Sequence, residues 1–200
     1  MDIVCLDLEG VLVPEIWVAV SRASGVPALA QTTRDEPNYD TLMRMRLDAL
    51  HEHGLGLPQI EAVIEDIEPL EGARAFLDEL RRRAQVIIVS DTFEQFAAPL
   101  MAKLGYPTLF CNTLVVADDG SIEGWRMRVA DTKRTTVRAL HSMGFDTIAA
   151  GDSHNDLGMI EESKAGFLFR APASIKADHP EVPAYDTYGE LSHAIISALC

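Results

Sequence analysis

Two carboxylates stand two residues apart near the start of the chain, Asp7 and Glu9 in Leu6-Asp7-Leu8-Glu9-Gly10. Alone, the pair fits a strand end passing into a turn as well as it fits chemistry, because Asp and Gly are common turn residues. Three later groups change the balance: Ser90-Asp91-Thr92, Lys133, and Asp152-Ser153-His154-Asn155-Asp156. Carboxylate oxygens with few His or Cys ligands suit Mg²⁺, which takes one or two protein carboxylates and completes its shell with water and substrate phosphate. Such an inventory fits phosphoryl transfer. Asp7 attacks phosphorus to form an aspartyl-phosphate, and Glu9 protonates the leaving oxygen and then deprotonates the acceptor. Mg²⁺, Lys133 and the Ser90 segment offset charge on the transferring group.

These residues converge only if the chain supplies a parallel sheet, since ligands in open α/β sheets bind outside the carboxyl ends of the strands. The pattern predicts one. Residues 1–13 form an apolar run buried on both faces, and Gln85–Val89 and Thr147–Gly151 are further short apolar runs. Each opens directly into one of the polar groups. Thr92 with Gln95 has the spacing of a capping box, which places Ser90 at a strand-to-helix junction where free N–H groups favour phosphate. Lys133 falls in the first turn of a helix beginning near Asp131, against the macrodipole. Thr108–Val116 and Ile122–Val129 flank Asp118-Asp119-Gly120 as a hairpin, so those two acids are turn residues rather than ligands. Thr187 and Glu190 cap a final helix.

Between Pro14 and about Pro69 the pattern is helical throughout. Pro14 suits a first helical position, with Ile16, Trp17, Val20 and Ala23 at helical spacing; a loop with Pro27 and Pro37 follows, then stripes at Leu42–Leu50 and Leu57–Ile67. Arg46 lies inside the second stripe, four residues from both Leu42 and Leu50. It either reaches solvent from the edge or needs an anion, because an unpartnered buried guanidinium is costly. Glu15 and Arg46 together match the ammonium and carboxylate of an amino acid.

Bulk properties narrow the partners. In 200 residues there are 17 basic and 31 acidic side chains, a formal net charge of −14, which disfavours nucleic acid and anionic membrane surfaces. The 48% hydrophobic and 24% charged composition is that of a globular protein. Cys5, Cys111 and Cys200 suggest neither a zinc site nor a disulfide framework. The N-terminal run has no basic region before it and carries two acids, unlike a signal peptide, and no segment reaches the roughly 18 apolar residues of a membrane span. A cytoplasmic protein acting on small molecules is expected; whether it works alone or as a homodimer is left open.

In order, Asp7-Leu-Glu9-Gly-Val, Ser90-Asp-Thr, Lys133 and Gly151-Asp152-Ser-His-Asn155-Asp156 resemble the four motifs of the haloacid dehalogenase superfamily. The insertion resembles the cap of its phosphoserine phosphatase branch, and most of all the type that is both phosphoserine phosphatase and phosphoserine:homoserine phosphotransferase. The resemblance implies a doubly wound, mainly parallel Rossmann-like core over 1–13 and 71–200 with a helical cap over 14–70. It implies Asp7 as nucleophile and Mg²⁺ held by Asp7, the backbone carbonyl of Glu9 and Asp152. Ser90, Lys133 and the Asp91 position would bind the substrate's phosphate, Asn155 and Asp156 would support substrate and metal, and Glu15 and Arg46 would recognise the amino acid. Most relatives have Asp at position 9 and Gly at position 91, and the Glu9 and Asp91 found here resemble the homoserine-accepting type. The alternatives are a phosphatase for another small phosphomonoester and a non-enzymatic phosphoacceptor of the receiver kind, which has no use for so large an insertion.

Overall fold

The structure, a computed structural model, describes residues 1–32, 35, 36 and 38–199, so Pro37 and the Cys200 thiol lie outside the described residues. Seven strands form one sheet in the order β4-β3-β2-β1-β5-β6-β7. They are β1 (Asp2–Leu6), β2 (Gln85–Phe93), β3 (Thr108–Val116), β4 (Ile122–Arg126), β5 (Asp146–Gly151), β6 (Ala165–Phe169) and β7 (Ala184–Tyr185). All neighbours pair in parallel except β3 with β4, the predicted hairpin, whose turn places Gly120 at φ 86°. The α/β class and mainly parallel sheet are those expected.

Helices cover both faces because the strand residues alternate. Val4, Leu6, Ile88 and Ile148 point to one face, where α4 (Ala73–Arg81), α5 (Glu94–Leu104) and α9 (Tyr188–Ala198) pack. Ile3, Cys5, Ile87 and Ala149 point to the other, against α6 (Thr132–Ser142), α7 (Leu157–Glu162) and α8 (Ala173–Asp178). Every residue of β1 is buried, as the sequence predicted for a central strand. Cys5 is a buried free thiol and Cys111 a half-buried one.

Helices α1 (Ile16–Ser24), α2 (Tyr39–Glu52) and α3 (Leu57–Glu65) intervene between β1 and α4, with a short 3₁₀ turn at Pro27–Ala30. Pro14 stands outside α1 rather than at its first position; Glu15 is the flanking residue, and the first N–H, that of Ile16, goes to the Glu9 carboxylate at 2.8 Å. The apolar side chains of this insertion, among them Trp17, Leu47, Ile60 and Ile64, belong to the same buried cluster as β1 and β2. The segment from α8 to β7 is regular where the sequence pattern indicated nothing, because a two-residue edge strand carries no periodicity.

The second strand corrects the expected boundary. It continues past Val89 to Phe93, with three residues between Val89 and Phe93 facing only Cys111 between Phe110 and Asn112. Ser90, Asp91 and Thr92 therefore form a bulge, which re-aims side chains next to functional sites. Phe93, not Thr92, precedes α5, and the Gln95 amide instead bonds Leu114 in both directions, accepting from its N–H at 3.0 Å and donating to its carbonyl at 3.1 Å. The predicted capping box is absent, and with it the argument that placed Ser90 at a helix terminus.

Gly166 shows how closely β6 and α7 approach. A Cβ there would lie 2.5 Å from the Ile160 carbonyl oxygen, whereas one at Gly124 would meet nothing within 4 Å. Gly166→Ala should lower the unfolding free energy by about 1–3 kcal/mol in urea titrations. Gly124→Ala should stay within about 0.5 kcal/mol of the parent in the same titrations.

Candidate active site

The chain leaves β1, fills one side of the sheet through β4, then returns to place β5 on the other side of β1. The carboxyl ends of β1 and β5 thus flank the point where strand order reverses, which is where open α/β sheets bind ligands. Asp7 follows β1 directly and Asp152 follows β5; the Asp7 N–H still donates to the Ala150 carbonyl at 3.0 Å. Between them the loop turns back at Gly10, φ 74°, where a Cβ would sit 2.4 Å from the Asp152 carboxyl carbon. Any side chain at this position would displace Asp152.

Lys133 reaches this point from the first turn of α6 with 1% of its surface exposed, so it is not the solvated lysine its helix position allows. Its Nζ donates to Asp156 Oδ1, lies 3.1 Å from Asp7 Oδ1 and 3.9 Å from Asp91 Oδ2. Burial alone would lower its pKa, but Asp156, Asp7 and Asp91 outweigh it and hold the ammonium charged well above the usual range. Asp7 is pushed well up, first by burial and then by Asp156, against the pull of Lys133. Its Oδ1 makes an ion pair with Lys133 without a well-aligned hydrogen bond, leaving a buried oxygen with unused acceptor capacity.

Asp156, fully buried, is committed elsewhere. Its Oδ2 accepts from the N–H groups of Asp152 and Ser153, both at 2.9 Å, and it packs over Gly151, where a Cβ would lie 2.1 Å from its carboxyl carbon. Asp91 accepts from the Thr132 hydroxyl on one oxygen and from Asn155 Nδ2 at 2.8 Å on the other, while its carbonyl accepts from Asn112 Nδ2 at 3.1 Å and from the Tyr39 hydroxyl at 3.3 Å. Ser90 is buried in the bulge, its Oγ accepting from the Thr92 N–H at 3.3 Å.

A second group belongs to the insertion. Arg46 is 7% exposed, so it stays within the stripe rather than reaching solvent. The guanidinium lies 4.6 Å from the Trp17 ring centroid and donates through Nη2 to the Gln31 carbonyl at 2.6 Å, while Nε has no partner. Among the described residues it forms no ion pair; burial lowers its pKa to about 10, with Glu9 the strongest influence opposing that shift. Glu9 itself is pushed up to about 7, by burial and then by Glu15, against the Ile16 N–H and Arg46. Glu15 is exposed at the rim.

Every residue the sequence nominated lines one cavity of about 420 Å³, except Asp156, which sits beneath it. Tyr39, Trp17 and Arg170 line it as well and were not foreseen. Nor was Thr132, although its place just before Lys133 puts its hydroxyl in the same helical turn. Carboxylate oxygens of Asp7, Asp152 and Asp156 lie within 4.8 Å of one another. Asp7, Asp91 and Asp156 surround one lysine, Asp152 groups with Asp7 and Asp156, and the buried Asp7 oxygen retains acceptor capacity, so the donor set fits a hard divalent cation held by Asp7 and Asp152.

Comparison with known proteins agrees with this geometry. A family model described as haloacid dehalogenase-like hydrolase matches residues 14–161. The phosphoserine phosphatase ThrH of Pseudomonas aeruginosa is 50% identical over 99% of this chain and 97% of its own length. A phosphoserine phosphatase of Pseudomonas syringae pv. tomato is 49% identical over 99% of this chain and 84% of its own. A solved structure described as a phospho-aspartyl intermediate analogue of phosphoserine phosphatase superposes with a TM-score of 0.75 at 25% identity, covering 91% of each chain. With strand-end carboxylates at the switch point, a buried lysine among them and matches of this extent, the chain belongs to the haloacid dehalogenase-like hydrolase family.

Proposed function

We propose that this chain is a Mg²⁺-dependent enzyme that takes the phosphoryl group of O-phospho-L-serine through an aspartyl-phosphate and passes it to water or to homoserine. The observation that carries the substrate is Arg46: a buried guanidinium with an unpartnered Nε in the cavity that holds Asp7. A small phosphomonoester without an amino-acid group leaves that charge unexplained. Close similarity to proteins named phosphoserine phosphatase supports the same reading.

In this reading residues 14–70 are a cap over a core of residues 1–13 and 71–200. An Asp7 oxygen attacks phosphorus; the P–O bond to serine breaks, and the leaving oxygen takes a proton from Glu9. Water or the homoserine hydroxyl then gives its proton to Glu9 and attacks the same phosphorus, releasing Asp7 with phosphate or O-phosphohomoserine. A Glu9 carboxyl near neutrality suits both directions. Lys133 and Ser90 in the bulge bear on the phosphoryl oxygens, Arg46 grips the carboxylate, and Glu15 at the rim takes the ammonium. Asp156 orients Lys133 and the turn carrying Asp152, and Asn155, held by Asp91, faces the substrate. When bound through Asp7, the Glu9 carbonyl and Asp152, Mg²⁺ supplies positive charge to the transferring group.

Asp7→Asn should cut turnover by about a thousandfold or more, as loss of a nucleophile does, while the melting temperature holds or rises because one buried negative charge is gone. Retained turnover would remove Asp7 from the role. Arg46→Ala should reduce kcat/KM for phosphoserine by about 10- to 100-fold through loss of a charge-assisted bond, with an aryl phosphate changed far less. Equal losses on both esters would make Arg46 a structural residue. With phosphoserine, Mg²⁺ and homoserine present, O-phosphohomoserine should accumulate, detected by ³¹P resonance; release of inorganic phosphate alone would restrict the enzyme to hydrolysis.

A further inference from the structure

Among the described residues three basic side chains line the cavity that holds Asp7, and they differ in access: Lys133 and Arg46 are buried, whereas Arg170 is exposed. Arg170 follows β6 directly with its backbone in the left-handed region, φ 50°, a conformation that costs a non-glycine residue free energy and persists where surroundings impose it. Those surroundings are visible. Its N–H donates to the Tyr185 carbonyl at 2.9 Å and its Nε to the Asp186 carbonyl at 3.1 Å. The guanidinium lies 4.7 Å from the Phe169 ring centroid and 4.9 Å from that of Tyr188. Tyr188 in turn donates its hydroxyl to the Val11 carbonyl at 2.6 Å, inside the loop that follows Asp7 and Glu9.

The side chain is thus held by its stem and ring contacts, while neither Nη group has a hydrogen-bond or ion-pair partner among the described residues. An ordered guanidinium with an open fork is suited to a phosphate or carboxylate. Its setting is otherwise hostile to anions: the chain carries a formal net charge of −14, and Asp7, Glu9, Glu15, Asp91 and Asp152 line the same cavity. A phosphomonoester dianion approaching from solvent meets Arg170 before either buried cation.

We propose that Arg170 is the capture residue for the phosphomonoester dianion, a positioning residue at the cavity rim that raises the encounter of anionic substrate with an acidic protein. This rests on the phosphotransferase reading above. An exposed charge contributes little to the strength of a bound contact and more to association and its salt dependence. Arg170 therefore acts on kcat/KM and not on the chemical step.

The test compares the Mg²⁺-loaded wild-type enzyme with Arg170→Gln and Arg170→Lys, on phosphoserine and on an aryl phosphate, from low salt to about 0.5 M, where the Debye length falls below about 5 Å. Arg170→Gln should lower kcat/KM for both esters about fivefold at low salt, with kcat unchanged and the difference fading as salt rises. Arg170→Lys should retain most of the wild-type value. The proposal is overturned by wild-type kcat/KM and salt slope in Arg170→Gln, by a fall in kcat, or by equal impairment in Arg170→Lys. Turnover of the aryl phosphate without phosphoserine would instead overturn the substrate reading, leaving the Arg170 comparison to be decided on the aryl ester. Were neither ester turned over, binding of inorganic phosphate, measured by titration calorimetry, decides it. Weaker, salt-sensitive binding in Arg170→Gln supports the proposal, and equal binding overturns it.

Discussion

The rest of the structure depends on one buried ammonium. Lys133 is almost fully removed from water, which for an unpaired charge would be prohibitive, and it remains charged because Asp156, Asp7 and Asp91 surround it. Those acids come from the ends of different strands, so only a sheet that reverses its strand order beside β1 brings them to one lysine. The dependence runs both ways. The acids outnumber the lysine three to one, and Asp156 is met by two backbone N–H groups as well. Asp7 keeps a buried oxygen with unused acceptor capacity, and Gly10 and Gly151 admit the carboxyl groups of Asp152 and Asp156 more closely than any side chain at those positions would allow.

The helical insertion is tied to this centre through the same few atoms. Glu9 takes the first N–H of α1, so the carboxylate nearest Asp7 in sequence also fixes where the insertion begins. At its other end the Leu70 N–H donates to the Leu12 carbonyl at 2.9 Å, and Lys103 donates to the carbonyls of Glu65 and Ile67 at 2.7 and 2.8 Å. The β3–β4 hairpin braces it from the side: the Gly120 carbonyl accepts from the Leu57 N–H at 2.8 Å, and His51 Nε2 meets the Ile122 carbonyl at 3.0 Å. An antiparallel hairpin at the edge of a parallel sheet thus has a mechanical purpose. It supports α2, the helix that carries Arg46 and Tyr39.

Strand ends and long helices were legible because their signals are local. An apolar run ending in Asp7, another ending in Asp152 and an arginine inside a helical stripe each declare themselves within ten residues. The bulge at Ser90–Thr92 was not legible, because β-branched and polar residues there fit a continuing strand as well as a helix start, and only pairing with β3 decides. The partners of Gln95, the docking of Tyr39 on Asp91 and the left-handed backbone of Arg170 are long-range outcomes of the same kind. Arg170 follows an ordinary apolar strand in sequence, and nothing nearby distinguishes it from a solvated arginine.

Asp91 illustrates how geometry constrains a chemical role that residue type alone leaves open. An ionised carboxylate has no proton to donate to a phosphate, so Asp91 can serve an anion only through its backbone N–H or through groups it holds. Its carboxylate holds two such groups, the Thr132 hydroxyl at the head of the helix that presents Lys133, and the Asn155 amide. At 3.9 Å from Nζ it contributes to the field on Lys133 without a hydrogen bond to it. Asp91 therefore adds negative charge beside Lys133 and offsets that cost by ordering two donors around it. Its side chain works as a strut between α6 and the Asp152 loop, and it stands on a bulge whose three residues line the cavity.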